Sequence, residues 1–314
     1  MLSLHKRTAL LCLAVFGVSE SAGAWTTLAS GDGMRSGSIS STLRWQSSGE
    51  LYSGGCNSAW GIKNCYSIRV GGAGTNLQST TATRSKRART FEPELSLVEQ
   101  AAADDDDLES YARAFPQDYF PNFEHGSLEK RQVVLNCTGG GGGGNGTEPP
   151  PPPSPRQRVE FMSWGGAPAG QTWKYTWKTR QAPTSSSYKF NHIWQILRRD
   201  ACGGAVVTLD LIADNVVIRD NVRKCPNNTC ATAPASSWFN KVISHTLIIR
   251  YGINGSLNYA AMEAGKAAPS IIKYHATGDM GHLASLKSGV YRASYDGMTA
   301  SQMWLGQWVA TRVS

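Results

Sequence analysis

Residues 287–292 read Lys-Ser-Gly-Val-Tyr-Arg and have the pattern of a β-strand. Side chains two positions apart on a strand point to the same face, so Lys287, Gly289 and Tyr291 are expected to lie side by side. A tyrosine near a fixed positive charge can both accept and donate a proton. These residues therefore predict acid–base chemistry, provided that neighbouring strands bring further polar groups to the same face.

Two earlier strands offer such groups. The segment 158–161 places Arg158 and Glu160 on one face, and the segment 192–197 offers Gln195. Arginine binds a carboxylate through a planar fork of donors, and a glutamine amide donates through its N–H groups. We expect Glu160 to support Arg158 by a salt bridge, with a purely structural pair on the strand as the equal alternative.

Two histidines lie on predicted strands. His192 is three residues before Gln195, so on a regular strand it points to the opposite face, together with apolar side chains. We expect a core or interface histidine, and only a β-bulge would reverse its direction. His245 alternates with isoleucine and leucine and is also expected to be buried. His192 and His245 are therefore candidate bases, with a structural role as the alternative for each.

The three segments resemble the jelly-roll polysaccharide lyases of the alginate-lyase and glucuronan-lyase group. Strands of that group carry Arg-Ser/Thr-Glu-Leu, Gln-Ile/Val-His and Tyr-Phe-Lys-Ala-Gly-Val/Ile-Tyr-Asn-Gln. The sequence Leu286-Lys287-Ser288-Gly289-Val290-Tyr291 keeps the lysine, glycine and tyrosine in register, whereas Gln-Ile-His appears as Gln195-Ile196-Leu197. The resemblance implies an all-β, concanavalin A-like sandwich and a lyase that acts on an acidic polysaccharide.

The resemblance also implies roles for these residues in β-elimination from a uronic acid. Arg158 and Gln195 would neutralise the sugar carboxylate, so that the proton on C5 can be removed. Tyr291 would take that proton and protonate the leaving O4, with Lys287 or Arg158 lowering its pKa from about 10. With no histidine at position 197, Tyr291 would act alone, or the face would only bind carbohydrate.

The formal charge of +8 is distributed unevenly along the chain. Residues 1–90, 91–131 and 132–314 carry net charges of +7, −8 and +9. A basic block favours an anionic polysaccharide as partner, and charge for solubility alone is the alternative. Lys174, Lys178 and Arg180 alternate with three aromatic residues, which we expect in the core. The three cations would then bind substrate.

The first 24 residues have the pattern of a signal peptide, with basic residues, a short apolar run and Ala22-Gly23-Ala24 before Trp25. Residues 25–107 show little periodicity and are expected to be an irregular or disordered extension, in part a pro-segment. Residues 108–314 are expected to form the jelly-roll domain, with a Gly/Pro-rich loop at 139–155. Cleavage after Arg131 is the alternative start of the mature domain.

Cysteine usage indicates an oxidising compartment. Removal of the signal peptide leaves an even set, for which the simplest pairing is Cys56 with Cys65, Cys225 with Cys230, and Cys137 with Cys202. Four sequons, one of them at Asn254, are compatible with a secreted glycoprotein.

These observations together predict a secreted, monomeric antiparallel β-sandwich of the jelly-roll type that cleaves a uronic-acid-containing polysaccharide. The alternatives are a non-catalytic carbohydrate-binding protein of the same fold and a cell-surface or matrix protein. Neither nucleic acid nor membrane is expected as a partner. No metal or other cofactor is expected; a structural calcium near Asp210, Asp214 and Asp220 is an outside alternative, because these residues follow no ligand-loop pattern.

Overall fold

The computed structural model describes residues 25–31, 33–71, 156–164, 167–184, 187, 189–200, 203–225, 230–266, 269–295 and 297–314. They form β-strands and two short 3-10 helices, Ser58–Trp60 and Ala235–Ser237. In chain order the strands are β1 (Thr26–Ala29), β2 (Arg35–Ser40), β3 (Leu43–Ser47), β4 (Glu50–Ser53), β5 (Tyr66–Val70), β6 (Arg156–Ser163), β7 (Ala167–Pro168), β8 (Thr172–Gln181), β9 (Asn191–Arg198), β10 (Ala205–Ile212), β11 (Asn215–Asp220), β12 (Ala231–Pro234), β13 (Val242–Arg250), β14 (Gly255–Glu263), β15 (Ile272–Gly278), β16 (Leu283–Ala293) and β17 (Ser301–Arg312). Within these ranges no helix is long and apolar enough to cross a membrane.

The strands form two antiparallel sheets that stack as a sandwich. The eight-stranded sheet has the order β1-β4-β5-β17-β8-β13-β14-β15. The nine-stranded sheet has the order β12-β11-β10-β9-β16-β6-β3-β2, with β7 beside β16. The predicted all-β antiparallel sandwich of the jelly-roll, concanavalin A-like type is confirmed.

Apolar residues at alternate strand positions fill the space between the sheets. Trp194 of β9 packs on Tyr259 of β14 with ring centroids 4.7 Å apart, and Tyr66 of β5 lies 4.9 Å from Phe161 of β6. Both pairs join residues of opposite sheets. Because one side of each strand is committed to this core, the intervening side chains point to the two outer faces.

The expectation that residues 25–107 form an irregular extension is wrong for residues 26–70. These residues form β1 to β5, with β3 paired to β6 in one sheet and β5 paired to β17 in the other. Each strand is short and contributes only a few core residues, such as Trp45 and Leu51, so the sequence pattern is weak. Hydrogen bonds to strands far along the chain hold them in the sandwich. Residues 72–155, with the Gly/Pro-rich loop, lie outside the described ranges.

Two of the three predicted disulfides are confirmed. Cys56 is bonded to Cys65 and Cys225 to Cys230, with Cα atoms 6.0 and 5.0 Å apart. Cys137 and Cys202, the third predicted pair, lie outside the described residues, as does the predicted signal peptide.

Candidate functional site

The predicted Lys-x-Gly-x-Tyr strand is β16, which lies between β9 and β6 in the nine-stranded sheet. Leu286 and Val290 of this strand belong to the hydrophobic core. Lys287, Gly289 and Tyr291 therefore lie on the opposite, outer face of the sheet. We call this surface the site face.

Gly289 allows β16 and β6 to approach closely at the centre of the site face. It is paired with Glu160 of β6, and a Cβ atom added to Gly289 would lie 2.2 Å from the backbone oxygen of Val159. No side chain fits at that distance, so a glycine is required for the two strands to pair. The glycine therefore permits the close pairing that brings β6 side chains beside those of β16.

Strand pairing places four polar side chains in a row across the site face. Tyr291 is paired with Arg158 on β6 and with His192 on β9, and His192 is paired with Asp210 on β10. Directly opposite residues of an antiparallel pair have Cβ atoms about 5 Å apart. Four strands thus bring a guanidinium, a phenol, an imidazole and a carboxylate side by side.

Two arginines surround the Tyr291 side chain. Nη1 of Arg156 donates a hydrogen bond of 2.9 Å to the phenolic oxygen, and Cζ of Arg158 lies 3.9 Å from the ring centroid. Phe190 packs against the tyrosine at a centroid distance of 4.9 Å. Positive charges at the oxygen and over the ring stabilise the phenolate more than the neutral phenol. Both cations therefore lie where they would stabilise a phenolate at Tyr291.

His192 lies on the site face, and the expectation that it points away from Gln195 is wrong. The pairing of β9 shifts register on both sides near this residue, and the consecutive residues Ile193 and Trp194 both enter the core. This β-bulge adds one residue to the alternation, so that His192 and Gln195 share a face. The imidazole lies 5.5 Å from the Tyr291 ring, centroid to centroid.

Asp210 holds the His192 ring. Its Oδ1 lies 2.6 Å from Nδ1 of His192 and accepts a 3.0 Å hydrogen bond from the backbone N–H of Asn191, while Oδ2 accepts from the Thr208 hydroxyl. Burial alone would raise the pKa of Asp210, but the charge and hydrogen bond of His192 and the Thr208 hydrogen bond outweigh it and lower the pKa. An ionised carboxylate only accepts, so Nδ1 of His192 carries the hydrogen of this contact.

A second buried carboxylate, Glu160, gathers the other predicted residues. Lys287 Nζ lies 3.0 Å and Arg158 Nε 3.3 Å from Oε2 of Glu160, and Nε2 of Gln195 donates to Oε1 at 2.8 Å. Gln46 of β3 accepts from Lys287 and Arg158. Burial would raise the pKa of Glu160, but the charges of Lys287 and Arg158 and the amide hydrogen bond lower it overall. The carboxylate is held ionised and fixes both cations.

From the sequence, Lys287 is expected to lower the pKa of Tyr291, and Gln195 is expected to bind a substrate carboxylate. In the structure both side chains contact Glu160 instead. Lys287 is four residues from Tyr291 along β16, roughly 13 Å at the rise of a strand. Arg156 on the adjacent strand reaches the phenolic oxygen instead. The cation that acts directly on the tyrosine oxygen therefore comes from β6.

Lys174, Lys178 and Arg180 do not lie on the site face, contrary to the sequence prediction. They belong to β8 of the eight-stranded sheet, and the aromatic residues between them face the core as expected, so the three cations lie on the far side of the sandwich. Lys178 donates to the backbone oxygen of Gly61 at 3.3 Å, and Cζ of Arg180 lies 4.1 Å from the Trp60 ring centroid. Lys178 and Arg180 therefore contact the segment between β4 and β5, on the far side of the sandwich.

His245 is a core histidine, as its alternation with apolar residues predicts. Its ring nitrogens lie 2.8 Å from the hydroxyls of Thr179 and Tyr259, and its ring stacks on Trp177 at 4.6 Å. Burial lowers the pKa of His245 to about 3. Because both nitrogens have protein partners inside the sandwich, His245 has no access to the site face.

The aspartates considered for calcium have other partners. Asp210 binds His192, and Asp220 forms an ion pair with Arg223. Across the described ranges no group of three or more histidine, cysteine, aspartate or glutamate side chains has an arrangement that could hold a metal ion.

Three residues of the site were missed by sequence reasoning. Arg156 lies two positions before Arg158, so the same alternation could have found it. The sequence alone suggests Asp210 only as a calcium ligand, because nothing in it pairs β10 with β9. Gln46 lies in the N-terminal region that was expected to be irregular. Only the pairing of β3 with β6 brings it to Glu160.

No protein-family model matches this sequence, and no curated protein matches it. Solved structures that are similar to about half of this chain include alginate lyases and a glucuronan lyase. An alginate lyase of polysaccharide lyase family 7 matches with 12% identity and a TM-score of 0.37, over 51% of this chain and 72% of that chain. The endo-β-1,4-glucuronan lyase of the fungus Trichoderma reesei matches with 12% identity and a TM-score of 0.36, over 51% and 76%. An alginate lyase from Alteromonas sp. 272 matches with 12% identity and a TM-score of 0.35, over 50% and 80%.

Proposed function

We propose that this protein is a secreted polysaccharide lyase that binds a uronic-acid-containing polysaccharide on the site face and cleaves it by β-elimination. The observation that carries the proposal is the row of Arg158, Tyr291, His192 and Asp210 across four strands. The row combines a cation for a sugar carboxylate with two groups that can transfer protons. The two disulfides support an oxidising, extracellular compartment.

The first requirement of the reaction is to neutralise the carboxylate beside C5. The C5 proton is weakly acidic, because its removal places negative charge next to a carboxylate. Arg158 and Arg156 flank Tyr291 from β6, and their guanidinium groups would bind the sugar carboxylate as charge develops on it. The Glu160 network keeps the Arg158 side chain fixed, so little reorganisation is needed when substrate binds.

The second requirement is a base for the C5 proton and an acid for the leaving oxygen. The C5–H bond breaks, its electron pair forms the C4–C5 double bond, and the C4–O4 bond breaks as O4 takes a proton. Where H5 and O4 lie on the same side of the ring, Tyr291 accepts the proton and returns it to O4. Where they lie on opposite sides, His192 accepts H5 through Nε2 and Tyr291 protonates O4. The 5.5 Å between their ring centroids brings both groups to one sugar residue.

Ultraviolet absorbance of the unsaturated uronyl product tests the proposal. The full chain is incubated with polyglucuronate, polymannuronate, polyguluronate and a neutral glucan, and we expect absorbance to rise with at least one uronan only. Tyr291→Phe should lower that rate by at least about a hundredfold, since it removes the proton-transfer group. The matched control is Tyr52→Phe, because Tyr52 lies on β4 of the other sheet; its rate should equal that of the wild type.

Two results would reject the assignment. If no uronan yields absorbance but uronans are retained at low salt, the protein is the non-catalytic carbohydrate-binding alternative. If Tyr291→Phe cleaves at the wild-type rate, the lyase uses another residue and the row is not its active site.

A further inference from the structure

The outer side of the eight-stranded sheet, opposite the site face, is strongly cationic. On β8, β13, β14 and β15 every second residue points outward, because the residues between them fill the core. The outward positions of these strands carry no aspartate or glutamate, and their lysine and arginine residues are Lys174, Lys178, Arg180, Arg250 and Lys273. We call the outward side of these strands the rear face.

Strand pairing aligns side chains in a row across the rear face. Ile248 of β13 is paired with Lys174 of β8 and with Asn258 of β14. Asn258 is in turn paired with His275 of β15. Adjacent strands lie about 4.8 Å apart, so the row crosses roughly 14 Å. A row of this length offers contacts to several linked sugar rings.

A shallow groove of about 390 Å³ follows this row. Its lining includes Thr246, Ile248, Asn258, Ala260, Lys273 and His275. Ile248 is 38% exposed, although large apolar side chains are usually buried. Nδ1 of His275 donates to Oδ1 of Asn258 at 2.7 Å, which leaves Nδ2 as the side of the amide that can donate to a ligand. The groove thus combines an apolar floor with polar edges, as sugar rings require.

The charges of the rear face favour a polyanion as its partner. Lys174 and Lys273 are exposed, and neither has an ion-pair or hydrogen-bond partner among the residues that the structure describes. A surface that serves solubility alone mixes charges of both signs. The rear face instead joins one sign of charge to exposed apolar side chains, Ile248 and Met262. A second copy of this face would be repelled, since it has the same charge.

We propose that the rear face is a second binding surface for an acidic polysaccharide, separate from the place of cleavage. Uronate carboxylates would bind Lys174 and Lys273, while a sugar ring packs on Ile248 and a hydroxyl accepts from Asn258. The inference rests on the proposed function for its ligand class, a polyuronate, but it concerns binding rather than chemistry. A polymer held on the rear face would keep the protein on its substrate between cleavage events.

Retention of the full chain on immobilised polyglucuronate tests the rear face, with immobilised neutral glucan as background. Ile248→Glu places a negative charge in the groove, and Arg156→Glu does the same on the site face. Each variant should lose only part of the retention, because the other face still binds. The combined variant should not be retained, since both surfaces then repel the polymer.

Smaller changes refine the test. Lys273→Gln should weaken retention by roughly threefold, the usual effect of one exposed charge. Lys266→Gln is the matched control and should be retained like the wild type, because Lys266 pairs with Glu263 at 3.0 Å and does not line the groove. Cleavage of a soluble glucuronate trisaccharide, followed by product absorbance, should be unchanged in Ile248→Glu.

The results separate the rear face from the lyase. Wild-type retention of Ile248→Glu and Lys273→Gln, each with an unchanged melting temperature, overturns the rear face whatever the cleavage rate. Complete loss of retention in Arg156→Glu alone also overturns it, as does equal weakening in Lys266→Gln. Retention that Ile248→Glu reduces, without product from the wild type, supports the rear face and rejects the lyase.

Product without retention rejects the rear face and supports the lyase, and absence of both rejects both proposals. Other occupants of the rear face give different results. If Ile248→Glu instead dissociates a dimer of the chain, or releases a bound peptide of residues 91–131, the occupant is not a polysaccharide and the proposal fails.

Discussion

Asp210 and His192 face each other across β10 and β9, with Oδ1 of the aspartate 2.6 Å from Nδ1 of the histidine. The contact exists because a bulge in β9 turns the imidazole to the site face, where the completely buried aspartate fixes its tautomer. A buried carboxylate that orients an imidazole is the arrangement used when histidine acts as a base.

The first prediction concerns this pair. With a substrate that needs His192 as base, Asp210→Asn and His192→Gln should each lower kcat by about a hundredfold with little change in KM, because binding groups remain. The kcat of the double variant should be no lower than that of the more impaired single variant, since the two residues act as a unit. Losses that multiply in the double variant would show that Asp210 serves only the fold. Steady-state kinetics and melting temperatures of all four proteins provide the measurement.

The second prediction concerns the Glu160 network. Glu160→Gln removes the negative charge that Lys287 and Arg158 share. The two cations then stay buried without the carboxylate that neutralises them. We expect the free energy of unfolding to fall by about 3–5 kcal/mol in urea titrations. Glu263→Gln is the matched control, because Glu263 pairs with Lys266 at 3.0 Å near the surface, and it should cost less than about 1 kcal/mol. Similar losses in both variants would contradict the idea of a tightly coupled network.

A third prediction tests the close approach at Gly289. An alanine Cβ would meet the Val159 backbone oxygen at 2.2 Å, so Gly289→Ala must separate β16 from β6 or fail to fold. We expect a loss of at least about 2 kcal/mol in unfolding free energy, together with reduced uronan cleavage as the row of side chains is displaced. Gly33→Ala, where nothing lies within 4 Å of the added Cβ, serves as control. A stable, fully active Gly289→Ala protein would refute this role.

The fourth prediction is a pH dependence of stability that originates in His245. Its pKa is about 3 in the folded protein and about 6.5 in the unfolded chain. Between those values the unfolded chain binds a proton that the folded protein does not, so stability falls as pH falls from 6.5 towards 3. From pH 7 to pH 5 this group should lower the free energy of unfolding by about 2 kcal/mol.

Urea titrations of the wild type and His245→Gln at both pH values measure this effect. Between pH 7 and pH 5 the free energy of unfolding should decrease by about 2 kcal/mol less in His245→Gln than in the wild type, because the variant has no imidazole at this position. His275→Gln, at an exposed histidine, should leave the decrease as in the wild type. An unchanged decrease in His245→Gln would show that other groups govern acid stability.

Several features of the fold and site follow from local sequence pattern. The alternation in β8 and β13 places Trp177 and His245 in the core, and short spacing predicts the pairs Cys56–Cys65 and Cys225–Cys230. The shared face of Lys287, Gly289 and Tyr291 follows from the two-residue period of a strand. Each of these depends on neighbours within a few residues, so the chain itself contains the necessary information.

Other features depend on which strands become neighbours, and only the tertiary structure decided them. The pairing of β3 with β6 draws the weakly patterned N-terminal residues into the sandwich, and Lys174 lies on a different outer face from Tyr291 because β8 belongs to the other sheet. The bulge that turns His192 towards Asp210 adds a single residue to the alternation, and the pattern of side chains in β9 does not reveal it. Sheet order and bulges are set by contacts between distant segments, whereas the sequence by itself determined the strands and the faces of regular ones.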